Sequence, residues 1–116
     1  MAHIRITTDE KTGVTLLIPN GSLDLSSHLA LKKKVRELIE DGRVKLIIDM
    51  SKLDSVDSSG IGTLVGLLNS ARSKNGDIRL AGEIQPPVLD TLRLCGLTNV
   101  FRIYTDADRG IQDFKD

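Results

Sequence analysis

Leu46-Ile47-Ile48-Asp49-Met50-Ser51-Lys52-Leu53-Asp54-Ser55-Val56-Asp57-Ser58-Ser59-Gly60-Ile61-Gly62 decides how the chain is read. The opening run of β-branched and leucine side chains has the pattern of a strand buried on both faces. A polar loop follows, and a helix is predicted from Asp57-Ser58-Ser59-Gly60. Ile61, Leu64, Val65, Leu68 and Ala71 then fall on one face of a 3.6-residue period. Asp57 is the natural N-cap, because its carboxylate can accept from the free amides of the first turn. Ser58, Ser59 and Gly60 would be the first helical residues, where orphan amides and the positive end of the dipole favour negative charge. A phosphate carried on a serine here would sit in a favourable field, as bound anions do at helix N-termini.

Working outward, Ile4-Arg5-Ile6-Thr7 and Val14 to Pro19 are expected to form a hairpin around the Thr12-Gly13 turn. Pro19 ends its strand, where a missing donor is tolerable. Asn20-Gly21-Ser22 reads as a break and Leu23-Asp24-Leu25 as a short connection. Ser26 or Ser27 can cap a helix that runs to about Asp41, with the stripe Leu31, Val35, Leu38 and Ile39 and a left-handed stop at Gly42. A strand over Val44 to Met50 precedes the helix from Ser58 to about Lys74. Asn75-Gly76 ends that helix, and Asp77 to Ala81 makes the next strand. Pro86 and Pro87 begin a helix with the stripe Val88, Leu89, Leu92 and Cys95, terminated by Gly96. Val100 to Tyr104 is a final strand, and Thr105 or Asp106 caps a short helix carrying Ile111 and Phe114.

A hairpin followed by alternating strand and helix predicts an α/β fold with a mainly parallel sheet and helices packed on it, built by right-handed crossovers. Residues 1–116 are read as one domain. Loops at the carboxyl ends of the parallel strands should gather on one edge, bringing Asp24, Asp49, Asp54, Asp57 and Ser58 towards one surface.

Composition narrows the function. Basic and acidic residues both number 16, so no cationic surplus advertises nucleic acid or anionic lipid. Phe101, Tyr104 and Phe114 are too few for a base-stacking platform. Lys32-Lys33-Lys34, with Glu37 and Glu40 close behind, reads as a solvated, internally paired helix face. Cys95 is alone, which excludes a disulfide framework and a thiolate zinc site, and its place on an apolar stripe predicts burial. The N-terminus carries no apolar signal core and no run approaches membrane-spanning length, so a cytoplasmic protein is expected.

Enzyme readings fail residue by residue. His28, Asp24 and Ser58 supply the residue types of a hydrolase triad, but there is no Gly-x-Ser-x-Gly elbow. No Walker lysine follows a glycine loop and no Gly-x-Gly-x-x-Gly turn is present. Asp49, Asp54 and Asp57 lack EF-hand spacing. Asp49 at a strand end resembles the phosphoacceptor of response regulators, but Asp9-Glu10 leads into a hairpin turn and assembles no acidic pocket.

Asp57-Ser58-Ser59-Gly60-Ile61-Gly62, after a strand ending Ile48-Asp49, resembles the signature of STAS domains. More narrowly, it is similar to the bacterial anti-sigma factor antagonists. The likeness extends to Gly21-Ser22-Leu23-Asp24, where the family usually carries glutamate in place of Ser22. It also covers Pro86-Pro87-Val88 through Leu94-Cys95-Gly96-Leu97. The resemblance implies that Ser58 is phosphorylated by a partner anti-sigma factor that is itself a serine kinase. It also implies that Asp24 lies near the acceptor and contacts the kinase or its nucleotide, and that a serine phosphatase resets the cycle. No cofactor is implied for the chain itself; ATP serves the kinase.

On the residues alone, Asp57-Ser58 reads first as an ordinary cap with a solvated hydroxyl, and Asp24 can be a turn aspartate before a helix. Gly60, Gly62 and Gly66 are costly in a helix, at about 1 kcal/mol each against alanine. With Thr63 and Asn69 they form either a smooth face for a partner or close approaches within the domain. Phosphorylation would add about −1.5 to −2 charge beside Asp57. Its effect on the helix end, typically about 0.3–1 kcal/mol, is too small to remodel a domain. Burying it unpaired against a partner can cost several kcal/mol, so the switch is expected to act on binding. Two other functions fit the same residues. One is a constitutive STAS subunit of a phospholipid-transport complex or stress-signalling particle; the other is a nucleotide-binding module.

Overall fold

Leu46, Ile47 and Ile48 are all fully buried at the centre of a five-stranded sheet. In this computed structural model, which describes residues 4–114, the strands are β1 (Ile4–Asp9), β2 (Val14–Pro19), β4 (Lys45–Asp49), β6 (Asp77–Ala81) and β7 (Ile103–Tyr104), in that spatial order. The β1–β2 hairpin is antiparallel, and every other pair in this sheet is parallel. The expected mainly parallel α/β architecture is therefore the one observed. Two short strands, β3 (Gly21–Leu23) and β5 (Leu53–Val56), form a separate parallel pair. Both fall where the sequence reads as break, connection and loop. Their only apolar residues are Leu23, Leu53 and Val56, which turn into the core.

Alternation along β4 explains the layers, since neighbouring strand residues face opposite ways. Leu46 and Ile48 join the main core with Leu17, Ile78 and Leu80, beneath α1 (His28–Glu40), α2 (Ser58–Ser73) and α3 (Pro86–Leu94). Ile47 faces the other way, with Val14 and Ala81, and is covered by Tyr104 and by Ala107 and Ile111 of α4 (Ala107–Asp113). Helix α1 buries Leu31, Val35 and Ile39 as expected, and Gly42 stops it with φ of 85°.

Helix α2 sits rotated from the expected face. Its buried residues are Gly60, Thr63, Leu64, Leu67, Leu68 and Ala71, whereas Ile61 and Val65 flank the core. Gly60 explains the rotation. A Cβ there would lie 2.6 Å from the Leu23 carbonyl oxygen and 2.8 Å from Leu23 Cγ, so the absent side chain lets α2 close on β3. Two further expectations change. Cys95 caps the end of α3 and is exposed, because the stripe that reaches the core stops at Leu92. The final strand is only Ile103–Tyr104, since Leu97–Asn99 winds into a 3-10 turn and Phe101 plugs the core.

Gly60→Ala should cost about 1–3 kcal/mol in denaturant unfolding, because the methyl overlaps backbone that cannot move alone. Gly62→Ala, with nothing within 4 Å, should be neutral or stabilise by up to about 1 kcal/mol. Equal effects of the two would contradict the packing described.

Candidate functional site

Pairing of β3 with β5 builds the site, because it sets Leu23 opposite Val56 immediately before the two segments diverge. The chain leaves β3 into the 24–27 turn and leaves β5 into α2. Asp57 ties these exits together. Its amide donates to the Leu23 carbonyl at 3.1 Å, and its Oδ2 accepts from the Leu25 amide at 3.1 Å. Its Oδ1 accepts from the Gly60 amide at 3.0 Å, which is the expected N-cap. One carboxylate thus caps α2 and holds the preceding loop beside it.

Asp24 is held in a second set of hydrogen bonds. Its Oδ1 accepts from the Ser26 amide at 3.0 Å and the Ser26 hydroxyl at 2.7 Å, and the Ser27 hydroxyl oxygen lies 3.2 Å from it. The Ser26 hydroxyl is the main cause that holds the Asp24 carboxyl below the ordinary aspartate range. Ser27 is the N-cap residue of α1, but its side chain caps no helix amide; its hydroxyl donates to the Ser22 carbonyl and accepts from the Asp24 amide. Ser22 also accepts from Ser55 Oγ at 2.9 Å across the β3–β5 pair.

Ser58 is exposed at the first position of α2, and Ser59 is half-buried behind it. Both border a cavity of about 250 Å³ between α1 and α2. The cavity is floored by Gly62, Thr63, Gly66 and Leu67 and walled by His28, Lys32 and Arg36. No atom lies within 4 Å of where a Cβ would stand at Gly62 or Gly66, so close internal packing is not their role. Gly60 is a close approach, and Thr63 is buried with its hydroxyl 2.9 Å from His28 Nδ1.

Among the described residues, no hydrogen bond joins Asp49 or Asp54 to Asp24, Asp57 or Ser58. Asp49 accepts from the Ser51 amide and abuts Gly82 at the start of the loop before α3. Asp54 is exposed on β5. His28, Lys32 and Arg36 were not legible as one wall of this groove. Lys32 lies in a run that reads as ion-paired, yet among the described residues no ion pair joins Lys32–Lys34 to Glu37 or Glu40. Their spacing of four along α1 is the available signal. Among the described residues, no three metal-ligating side chains gather and no helix is long and apolar enough to cross a membrane.

The family model of the STAS domain matches residues 5–109. The chain belongs to this family. Among curated relatives, it is 24% identical over 114 residues to the anti-sigma F factor antagonist of Paenibacillus polymyxa, covering 97% of each chain. It is 26% identical over 114 residues to the anti-sigma-F factor antagonist RsfB of Mycobacterium tuberculosis, covering 94% of this chain and 90% of that one. The crystal structure of the Thermotoga maritima protein tm1081 superposes with a TM-score of 0.89 at 24% identity, over 97% of this chain and 95% of that one. These likenesses place the β3–β5 edge and α2 within a STAS fold.

The carboxyl of Asp24 should titrate below an ordinary aspartate in NMR, and Ser26→Ala should move its midpoint upward. Because the folded pKa is the lower one, the stabilisation from this turn persists above the ordinary aspartate range. It is lost as pH falls through the depressed midpoint. An unchanged midpoint in Ser26→Ala would remove the hydroxyl as the cause.

Proposed function

We propose that the chain is an anti-sigma factor antagonist switched by phosphorylation of Ser58. Unphosphorylated, it binds an anti-sigma factor that is also a serine kinase and so frees a sigma factor for transcription. Phosphorylated, it lets go, and a serine phosphatase restores the binding form. The observation that carries this reading is the placement of Ser58. It is exposed at the first turn of α2, on the lip of the α1–α2 groove, in backbone tied by both oxygens of Asp57. A protein kinase needs such an acceptor hydroxyl, reachable and held in a constant frame. The names of the relatives support the same reading.

In this proposal Ser58, Ser59, Gly62 and Gly66 form the surface the partner touches, with Asp24 and Asp57 at its edge. Gly60 and Thr63 act from beneath, by setting the depth of α2 and the orientation of His28. A neutral Ser58 hydroxyl allows a partner to close over this face. A phosphate beside Asp57 and Asp24 would have to be desolvated there among like charges. The chain contributes a substrate hydroxyl and a docking face, and the catalytic groups belong to the kinase.

Captured from its source cell and incubated with ATP, the wild-type chain should bring down a kinase-like anti-sigma factor and gain one phosphate that maps to Ser58. The partner should then dissociate. Ser58→Ala should gain no phosphate and retain the partner after ATP addition. Capture of transporter subunits with an unchanged mass, or release of Ser58→Ala by ATP, would contradict the proposal.

A further inference from the structure

A second cluster of charge lies at the opposite edge of the sheet, where β4 and β6 begin. Lys45 and Asp77 are register partners at the first positions of these strands. Helix α2 delivers Arg72 there, about 20 Å along its axis from Ser58. Arg72 Nε donates to Asp77 Oδ1 at 3.0 Å, and Arg79 Nε donates to Asp77 Oδ2 at 3.1 Å. Asp113 Oδ2 stands 3.8 Å from Arg79 Nη1 and 3.9 Å from Arg102 Nη1, and also accepts from the Tyr104 hydroxyl. Each carboxylate is therefore shared between two guanidinium groups. With Lys45, four cations among the described residues face two carboxylates, a local surplus of two positive charges among those residues.

The surplus surrounds a cavity of about 350 Å³ bounded by Lys45, Arg72, Asp77, Arg79, Arg102 and Phe114. Arg79 is only 9% exposed, with its guanidinium carbon 3.7 Å from the Phe114 ring centroid. Its Nη1 is buried and, among the described residues, has no hydrogen-bond acceptor. A buried donor on a charged group without an acceptor is unfavourable. Among the described residues, the two nearby carboxylates, Asp77 and Asp113, are already divided between guanidinium groups.

We propose that this cavity binds the phosphate group of a small phosphorylated molecule. Guanidinium forks match phosphate oxygens in pairs, and Lys45 adds a point charge at the rim. An oxyanion drawn in beside Phe114 would neutralise the surplus carried by the guanidinium groups and Lys45 around it. The volume is roughly ten times that of one water molecule, which leaves room for an organic group against the Phe114 ring. This site is independent of the Ser58 switch, because it uses the other ends of β4, β6 and α2.

The test is an NMR titration of the isotope-labelled chain with sodium phosphate, sodium pyrophosphate or adenosine monophosphate, each against sodium chloride at matched ionic strength. Saturable shifts are expected at the amides of Lys45, Gly76, Asp77 and Arg102. The double variant Lys45→Ala/Arg102→Ala should weaken binding at least tenfold. Both positions are exposed, so its thermal midpoint without ligand should match wild type. Tighter saturation by adenosine monophosphate than by phosphate would support a bound organic group; equal saturation would support a site for phosphate alone. Shifts that follow chloride equally, or saturable binding that the double variant leaves intact, would overturn the proposal.

Discussion

The carboxylate of Asp57 is the interaction on which the Ser58 edge depends. It caps α2 through Gly60 and fixes the 24–27 turn through Leu25, while its own amide reaches the Leu23 carbonyl. Those bonds need β3 and α2 to approach closely, and only glycine at position 60 permits that distance. A chain of local requirements thus connects the sequence to the site. The β3–β5 pairing brings the two exits together, Gly60 sets their separation, and Asp57 fastens them. Capping of this kind is worth about 1 kcal/mol in typical helices. Its larger consequence here is geometric, because it gives an exposed serine a fixed position.

In the proposed function, the same arrangement separates signalling from stability. Ser58 lies outside the core, and the core beneath it is carried by Leu23, Leu31, Leu64 and Leu67. A phosphate at the helix start gains from the dipole and loses to the nearby carboxylates, both modest terms in solvent. Under a partner surface the same charge would lose its water, and the balance would shift by several kcal/mol. Lys32 and Arg36 of the groove wall add positive charge to this face.

Much of this architecture is legible in the sequence because it rests on local periodicity. The hairpin, the buried β4 run, α1 and the Asp57 cap each follow from spacing that neighbouring residues display. What escaped was non-local or too small to have a period. β3 and β5 have three and four residues, and their pairing joins Gly21–Leu23 to a segment about thirty positions later. The rotation of α2 escaped because Gly60 and Thr63 do not count as apolar although they occupy its buried face, so Ile61 and Val65 drew the stripe away from Leu67. The exposure of Cys95 reflects where α3 leaves the core, which a stripe of apolar residues does not mark. His28, Lys32 and Arg36 become a site only when α2 lies alongside them.

The central claim is that a charge on Ser58 changes what the chain binds without changing how it folds. The most direct measurement compares unphosphorylated chain with chain phosphorylated stoichiometrically on Ser58, by denaturant unfolding and by calorimetric titration with the captured partner. Unfolding free energies should agree within about 1 kcal/mol. Affinity should fall at least a hundredfold, the equivalent of about 2.7 kcal/mol or more. A large loss of stability, or an affinity that the phosphate leaves unchanged, would contradict the account.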